Sequence, residues 1–118
     1  MRHAKPVTIG LNCSFGATQL RPHVKVLSEI ADTLIMVYPN AGLPNELGAY
    51  DELPETTAGL VGEWAEAGQV NILGGCCGST PTHIAAMVNA VQGLKPRKLP
   101  VLEPVTRLAG LEQFVMAA

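Results

Sequence analysis

The sequence predicts an α/β fold made of three consecutive βα units around a parallel sheet. Three short apolar runs, at residues 7–11, 34–38 and 70–74, are nearly continuous, as is usual for strands that are covered on both faces. A segment of helix length follows each run, and strands that alternate with helices pair in parallel through right-handed crossovers. The 118 residues, 47% of them hydrophobic, suffice for one modest core and therefore for one domain at most.

Helical periodicity predicts three helices, at residues 17–31, 55–67 and 82–92. In each of them apolar residues recur three or four positions apart, so that one face of the helix can pack on the sheet. These residues are Leu20, Val24, Leu27 and Ala31 in the first helix, Leu60, Val61, Trp64 and Ala65 in the second, and Ile84, Met87, Val88 and Val91 in the third. We expect Trp64 to anchor its helix in the core.

The organisation of the chain changes at about residue 92. Residues 1–92 hold the three βα units. Residues 93–118 are predicted to form a linker and a tail, because residues 93–100 contain two prolines and three basic residues, and residues 101–118 form a short apolar stretch that belongs to no fourth unit.

Composition and charge argue against several classes of protein. The formal net charge is −2, with 8 Lys and Arg against 10 Asp and Glu, so the chain offers no basic surface for nucleic acid. No stretch approaches the ~18 consecutive apolar residues of a membrane span, and residues 1–12 lack the layout of a secretory signal. We therefore predict a cytoplasmic protein without a membrane partner. Three cysteines, two of them adjacent, argue against a framework of paired disulfides.

The three cysteines follow strands at the edge of the sheet where α/β proteins build their sites. Cys13 comes two residues after the first predicted strand, and Cys76 and Cys77 directly follow the third. Glycines on both sides of the pair give the backbone the freedom for a sharp turn, which adjacent cysteines need if they share one metal ion. Residues 79–81 (STP) predict a helix start with a hydroxyl N-cap, whose positive end favours thiolates nearby.

Three thiolates from two strand ends form a soft, tetrahedral half-cage that suits zinc and leaves one position open, as in catalytic zinc sites. Two other interpretations stay open. Cysteine is among the residue types that are most often buried, so an ordinary core role is compatible with Cys13 in particular. Cys76 and Cys77 are also compatible with a strained vicinal disulfide. The glycine frame of the pair favours the metal site, because a packing cysteine does not need it.

The long loop after the second predicted strand, residues 39–53, begins at the same edge and shows no periodicity. Loops of this length in a compact domain are usually functional or disordered. Asn40 at its start is a candidate to offer its amide oxygen to a metal or a ligand, although Asn is also an ordinary turn former. His3, His23 and His83 form no ligand pattern. A single histidine on a helix is usually a surface residue, and we assign none of them a role.

Three stretches resemble the homocysteine-binding domain of cobalamin-dependent methionine synthases. They are residues 9–13 (IGLNC), 38–45 (YPNAGLPN) and 74–84 (GGCCGSTPTHI). The resemblance runs from about residue 6 to the end, and its tail segment 107–112 (RLAGLE) is similar to the segment that leads into the folate-binding domain of those enzymes. Homocysteine methyltransferases that use betaine or S-methylmethionine share the double-cysteine motif, but they usually differ in the loop and lack the tail. The cobalamin-dependent enzymes are therefore the better match.

The resemblance implies a TIM (β/α)8 barrel, of which this chain holds strands 6–8. In that correspondence Cys13 ends the sixth strand, and Cys76 and Cys77 end the eighth. The resemblance makes all three cysteines zinc ligands and suggests Asn40, after the seventh strand, as a fourth ligand when substrate is absent. The residues that hold the amino and carboxylate ends of homocysteine lie on barrel strands that have no counterpart in this chain.

The resemblance also implies a reaction. Zinc lowers the pKa of the homocysteine thiol, and the thiolate attacks the methyl group of methylcobalamin to give methionine and reduced cobalamin. The cobalamin-binding and folate-binding domains have no counterpart here. We therefore expect methylcobalamin to be bound by a domain outside this chain, and we expect the chain to be a fragment that is inactive alone.

A second hypothesis belongs to a different class: a non-catalytic α/β module whose cysteines are vestigial. Three parallel strands leave two open edges, and open edges invite pairing with a second copy of the chain. The two hypotheses differ in metal content and in self-association.

Overall fold

The computed structural model describes residues 2–100 and two short strands further along the chain. Within residues 2–100 a 3-10 turn at Arg2–Ala4 precedes three βα units, which are β1 (Thr8–Gly16), α1 (Ala17–Ile30), β2 (Leu34–Asn40), α2 (Pro54–Glu66), β3 (Ile72–Leu73) and α3 (Pro81–Val91). The later strands, β4 (Thr106–Leu108) and β5 (Phe114–Met116), pair antiparallel. The rest of the predicted tail, including residues 109–112 of the segment that carries the resemblance, lies outside the described residues.

The sheet confirms the predicted α/β arrangement. Strands β1, β2 and β3 lie side by side in that order and run parallel, with Ile9 beside Ile35 and Val37 beside Leu73. Regular pairing of β1 with β2 stops at Asn12 and resumes only at Gly16, across a bulge. Among the described residues, the outer edges of β1 and β3 have no neighbouring strand.

All three strands differ in length from the prediction, and β2 continues two residues further than predicted, to Asn40. Only Ile72 and Leu73 form β3, although the N–H of Asn71 donates to the Ile35 carbonyl at 2.9 Å and continues the same ladder. Strand β1 is longer than predicted and includes Cys13, because the chain bulges at that point and then pairs again at Gly16.

The core lies between one face of the sheet and the helices. Val24 of α1, Ile35 and Val37 of β2 and Val61 of α2 are fully buried, and Trp64 is buried as predicted. The other face of β2 is only half-buried, since buried and half-buried residues alternate along the strand. The prediction that the strands are covered on both faces is therefore wrong for the described part of the chain.

The apolar stripe of α3 is only partly buried. Met87 packs in the core, but 41% of Ile84 and 55% of Val88 are exposed, against the prediction that the whole stripe packs on the sheet. Both residues line an open cavity of about 200 Å3 beside Leu73. They are exposed because no described element lies beyond the outer edge of β3.

Arg97 attaches the predicted linker to the amino edge of the sheet, which is the edge where the strands begin. Arg97 is 4% exposed, and its guanidinium donates hydrogen bonds to the carbonyls of Ser28, Ala31 and Thr33, around the end of α1. A positive charge at the end of a helix satisfies carbonyls that have no partner within the helix. The Arg97 carbonyl accepts from the side-chain amide of Asn71 at 2.9 Å, which completes the attachment. Among the described residues, no helix has the length and apolar character needed to cross a membrane.

Candidate metal centre

Three free thiols lie close together at the carboxyl edge of the sheet, which is the edge where the strands end. The sulfur atoms of Cys13, Cys76 and Cys77 all lie within 4.8 Å of one another, and those of Cys13 and Cys77 are 3.5 Å apart. A tetrahedral zinc ion with Zn–S bonds of about 2.3 Å needs sulfur atoms roughly 3.8 Å apart. The observed cluster therefore fits such an ion after small side-chain movements. Cys13 and Cys76 are half-buried and Cys77 is exposed, so none of the three is a fully buried core residue in the described part of the chain.

The backbone of β1 is in an unusual conformation where it brings Cys13 to the cluster. Cys13 and Ser14 both have left-handed backbones, with φ of 59° and 64°. Such a conformation costs roughly 1–2 kcal/mol for each residue that carries a Cβ. The two residues lie in the bulge between Asn12 and Gly16, and bulges change the direction of side chains next to functional sites. The strain is thus located at the residue that supplies the first sulfur.

The double-cysteine turn is held against the end of β2. The N–H of Cys76 donates to the Pro39 carbonyl at 2.9 Å, and the N–H of Cys77 donates to Oδ1 of Asn40 at 3.1 Å. Asn40 is buried, as its role in holding the turn requires. The structure therefore places Asn40 beside the cluster, with its amide oxygen on the backbone of Cys77. Its role as a metal ligand stays a prediction.

The thiols share their protons unequally. The pKa of Cys13 lies below the usual cysteine value, mainly because the backbone N–H of Ser14 donates to its sulfur, and further because the thiols of Cys76 and Cys77 do so. The pKa of Cys77 is raised, first by its hydrogen bonds to Cys13 and Cys76 and then by the negative charge of Cys13. Cys13 therefore forms a thiolate at lower pH than Cys77, and as a thiolate it accepts a hydrogen bond from the Cys77 thiol.

Tyr50 forms a wall of the cluster that the sequence did not indicate. The base of its side chain packs on Gly78, where a Cβ atom would lie only 2.3 Å from Cβ of Tyr50. Gly78 has a φ of 81°, a second reason for glycine at this position. Burial, and then the negative charge of Cys77 and a hydrogen bond to it, raise the pKa of Tyr50. Tyr50 is therefore a protonated donor that faces Cys77.

A comparison with known families identifies the kind of protein to which this cluster belongs. A model of the homocysteine S-methyltransferase family matches residues 1–91. The chain belongs to the homocysteine S-methyltransferase family. The match includes all three βα units and all three cysteines, and it ends at the last residue of α3. Homocysteine S-methyltransferases transfer a methyl group to a sulfur atom, and the cluster of thiols is compatible with a metal ion in this family.

In this homocysteine S-methyltransferase chain the loop beside the cluster is ordered. Asn45 organises its tip: Oδ1 accepts from the N–H groups of Leu47 and Ala49, and Nδ2 donates to the Asp51 carboxylate at 2.9 Å. Pro44 also pairs with Tyr50 across the loop. The absence of periodicity in residues 39–53 therefore corresponds to a folded loop that carries Tyr50 to the cysteines.

His83 corrects the expectation that the histidines are surface residues. His3 and His23 are exposed, whereas His83 is 6% exposed and occupies the first turn of α3. Thr80 is the N-cap of this helix, as predicted, and His83 completes a capping box with it. Nε2 of His83 also lies 2.7 Å from the carbonyl oxygen of Glu52, in the loop. A capping box normally has Glu or Gln at the position of His83, so the sequence rule for helix starts did not reveal it.

Proposed function

We propose that this chain is the zinc-binding part of a homocysteine S-methyltransferase domain, with Cys13, Cys76 and Cys77 as zinc ligands. The observation that carries the proposal is the convergence of three free thiols within 4.8 Å, in the part of the chain that the family model matches. Three sulfur ligands leave one position of a tetrahedral zinc ion for the sulfur of homocysteine. When bound, zinc acts as a Lewis acid that lowers the pKa of that thiol, so that a thiolate is available at neutral pH.

The residues of the chain prepare this site before any ligand arrives. The low pKa of Cys13 favours the deprotonated form that a metal requires. Asn40 and Pro39 fix the turn that presents Cys76 and Cys77. We propose that Asn40 also supplies the fourth ligand when homocysteine is absent. A carbonyl oxygen has two lone pairs, so Oδ1 retains one beside its bond to the N–H of Cys77.

We further propose that the three units correspond to strands 6–8 of a (β/α)8 barrel, with residues 1–92 in the barrel and residues 93–118 as a linker and tail. The half-buried face of β2 and the exposed side chains of Ile84 and Val88 support this proposal, because further barrel units would cover them. The partners are then homocysteine, the other barrel units, and methylcobalamin bound by another domain. The resemblance of residues 38–45 favours methylcobalamin over betaine or S-methylmethionine as the methyl donor.

Metal analysis of the purified, reduced chain tests the site. We expect one zinc per chain, and we expect Cys76→Ser to lose it because two thiolates do not hold zinc as three do. His23→Ala is the matched control, since His23 is exposed and lies on α1, and it should retain the metal. Zinc well below one per chain, or zinc that survives Cys76→Ser, would overturn the proposal.

An activity assay tests how much of the enzyme the three units supply. We expect the chain alone to transfer no methyl group from methylcobalamin to homocysteine, because the groups that hold the ends of homocysteine lie on other strands in the proposed barrel. Clear turnover that depends on zinc would show that the other strands are not required.

A second candidate function is a self-associating module with vestigial cysteines. The exposed apolar residues beside the open edges of the sheet favour it, for example Val7 at 78% and Val88 at 55% exposure. Sedimentation equilibrium distinguishes the two: a stable dimer that holds no zinc supports the module, and a zinc-bound monomer excludes it.

A further inference from the structure

His83 joins the start of α3 to the loop that carries Tyr50. Its Nδ1 lies 2.8 Å from Oγ1 of Thr80 and accepts from the N–H of Thr80 at 3.3 Å. Its Nε2 lies 2.7 Å from the carbonyl oxygen of Glu52. A carbonyl oxygen only accepts, so the proton of a neutral ring must be on Nε2, and Nδ1 is then free to accept from Thr80. The two contacts thus fix one tautomer of the ring.

Capping the helix uses only Nδ1, one of the two nitrogen atoms of the imidazole. The capping box needs an acceptor that reaches back to the N–H of the N-cap residue, and a Glu or Gln side chain does this as well. The second nitrogen of His83 makes its bond outside the helix, 31 residues away in the sequence, to a loop. Since His83 is 6% exposed, both bonds are largely shielded from water.

The partner of His83 is itself fixed to the surrounding loop. The Glu52 carboxylate accepts from the hydroxyl of Thr57 at 2.6 Å, and the Glu52 side chain lies against Gly42 at the start of the loop. Glu52 is two residues from Tyr50, whose side chain packs on Gly78 directly after the double-cysteine pair. A bond that fixes the backbone at Glu52 therefore also limits how far Tyr50 can move from Cys77.

We propose that His83 is a positioning residue of the metal centre: its Nε2–H bond to the Glu52 carbonyl holds the loop segment 50–52 against the double-cysteine turn and keeps Tyr50 beside Cys77. This inference deepens the proposed function and rests on it for its meaning at a metal site. Loss of the bond lets the segment move away, which makes the already exposed Cys77 more accessible to reagents and removes a hydrogen-bond donor from its sulfur.

Two substitutions at His83, made in the full chain, separate the roles of the two ring nitrogen atoms. His83→Gln retains an acceptor for the cap and a donor for the Glu52 carbonyl, whereas His83→Glu retains the acceptor and places a carboxylate against the carbonyl. We expect the zinc affinity of His83→Gln to match that of the unmodified chain within about twofold. We expect His83→Glu to weaken zinc binding about tenfold, as is typical when a residue that supports a metal ligand is lost. Chelator competition measures the affinity.

The reactivity of the thiols in the metal-free chain gives a second readout. Alkylation by iodoacetamide is followed residue by residue with mass spectrometry. Cys77 should react about tenfold faster in His83→Glu than in His83→Gln, the same factor as we expect for the zinc affinity. A small thiol such as glutathione in the same reaction serves as the reference, because Cys13 lies 3.5 Å from Cys77 and would respond to the same change. Circular dichroism should show equal helix content in both variants, because both retain the cap.

A third variant keeps the proposal falsifiable if His83→Glu does not fold. Tyr50→Ala removes the wall and leaves α3 and its cap unchanged, so it should raise the alkylation rate of Cys77 by a similar factor. Equal zinc affinities and equal Cys77 rates in His83→Gln and His83→Glu would show that His83 only caps the helix. An unchanged Cys77 rate in Tyr50→Ala would likewise overturn the proposal.

The alkylation comparison also separates this inference from the proposed function. If the unmodified chain holds no zinc, the proposed function fails, and the Cys77 rates still decide whether His83 positions the loop. If zinc is bound and the two His83 variants behave alike, the proposed function stands and the role of His83 as a positioning residue is wrong.

Discussion

The edge of the sheet where the strands begin and the edge where they end are built in opposite ways. At the amino edge the buried guanidinium of Arg97 donates to three carbonyls around the end of α1, and the side chain of Asn71 pairs with the backbone on both sides. At the carboxyl edge the backbone of Cys13 and Ser14 is left-handed, and three thiols with few other partners face one another. One edge pairs backbone carbonyls with a buried cation, and the other holds reactive groups in a strained frame.

The contrast shows where stability and chemistry are located in this small sheet. Backbone strain at one edge lowers the stability of the fold, and hydrogen bonds from a buried cation at the other edge raise it. Substitutions at the amino edge should therefore change the free energy of unfolding and leave metal binding alone. Substitutions at the carboxyl edge should change metal binding more than stability.

The largest effect on stability is expected at Arg97. Arg97→Ala leaves the carbonyls of Ser28, Ala31 and Thr33 without their donor, and it should lower the free energy of unfolding by about 3 kcal/mol. Urea denaturation measures the change. Arg97→Lys should recover only part of it, because an ammonium group cannot reproduce the forked geometry of guanidinium.

Lys98→Ala is the matched control for Arg97→Ala. Lys98 is exposed and adjacent in the sequence, so its removal should change stability by less than about 0.5 kcal/mol. The zinc affinity of folded Arg97→Ala should equal that of the unmodified chain. A loss of zinc affinity in this variant would show that the two edges are coupled and that the contrast between them is wrong.

An intermediate effect is expected at Gly78. Gly78 and Gly93 both have a φ of 81°, so alanine at either position carries the same left-handed strain of about 1–2 kcal/mol. At Gly93 nothing lies within 4 Å of the added Cβ, whereas at Gly78 the new atom would displace Tyr50. We expect Gly78→Ala to reduce zinc affinity about tenfold, as for other residues that support metal ligands, and Gly93→Ala to leave it unchanged.

Unfolding curves and chelator competition on this pair of variants measure both quantities. The difference between the two variants in stability and in zinc affinity isolates the contact with Tyr50, because the backbone strain is the same in both. Equal zinc affinities in Gly78→Ala and Gly93→Ala would mean that the position of Tyr50 has no influence on the thiols.

The smallest expected effect is a difference in acidity within the cluster. Because the pKa of Cys13 is lowered and that of Cys77 is raised, Cys13 carries the larger thiolate fraction at any pH between the two. In the metal-free chain the alkylation rate of Cys13 should therefore rise at lower pH than that of Cys77. Mass spectrometry of chains treated with iodoacetamide measures both rates.

Cys77→Ala tests the cause of this difference. The thiol of Cys77 lowers the pKa of Cys13, so its removal should move the alkylation curve of Cys13 to higher pH. A curve that moves to lower pH, or a Cys77 that reacts first in the unmodified chain, would contradict the assigned order of the two thiols.

Local patterns in the sequence were sufficient to predict the architecture and the position of the cysteines. Continuous apolar runs gave the three parallel strands, helical spacing gave buried residues such as Leu20 and Val24, and the Ser-Thr-Pro start gave the N-cap at Thr80. The strand ends then predicted that Cys13 and the adjacent pair lie together, which the structure confirms.

Most of the features that sequence reasoning missed depend on contacts between distant residues. Arg97 lies in a proline-containing stretch that is typical of a linker, yet its partners are 64 to 69 residues earlier in the chain. His83 and Tyr50 act through a loop without periodicity. The left-handed backbone at Cys13 has no sequence signal, because glycine is the residue that normally marks such a conformation.

The separation of the two sulfur sources along the chain gives the cluster a role in folding. Cys13 and Cys77 are 64 residues apart, so their sulfur atoms meet only after both crossovers have formed and β1 has paired with β2. An ion that binds all three sulfurs therefore binds the completed sheet more tightly than the unfolded chain, in which only the adjacent pair is together, and mass action transfers this difference to the native state. Occupancy of the metal centre thus reports whether the long-range topology is complete.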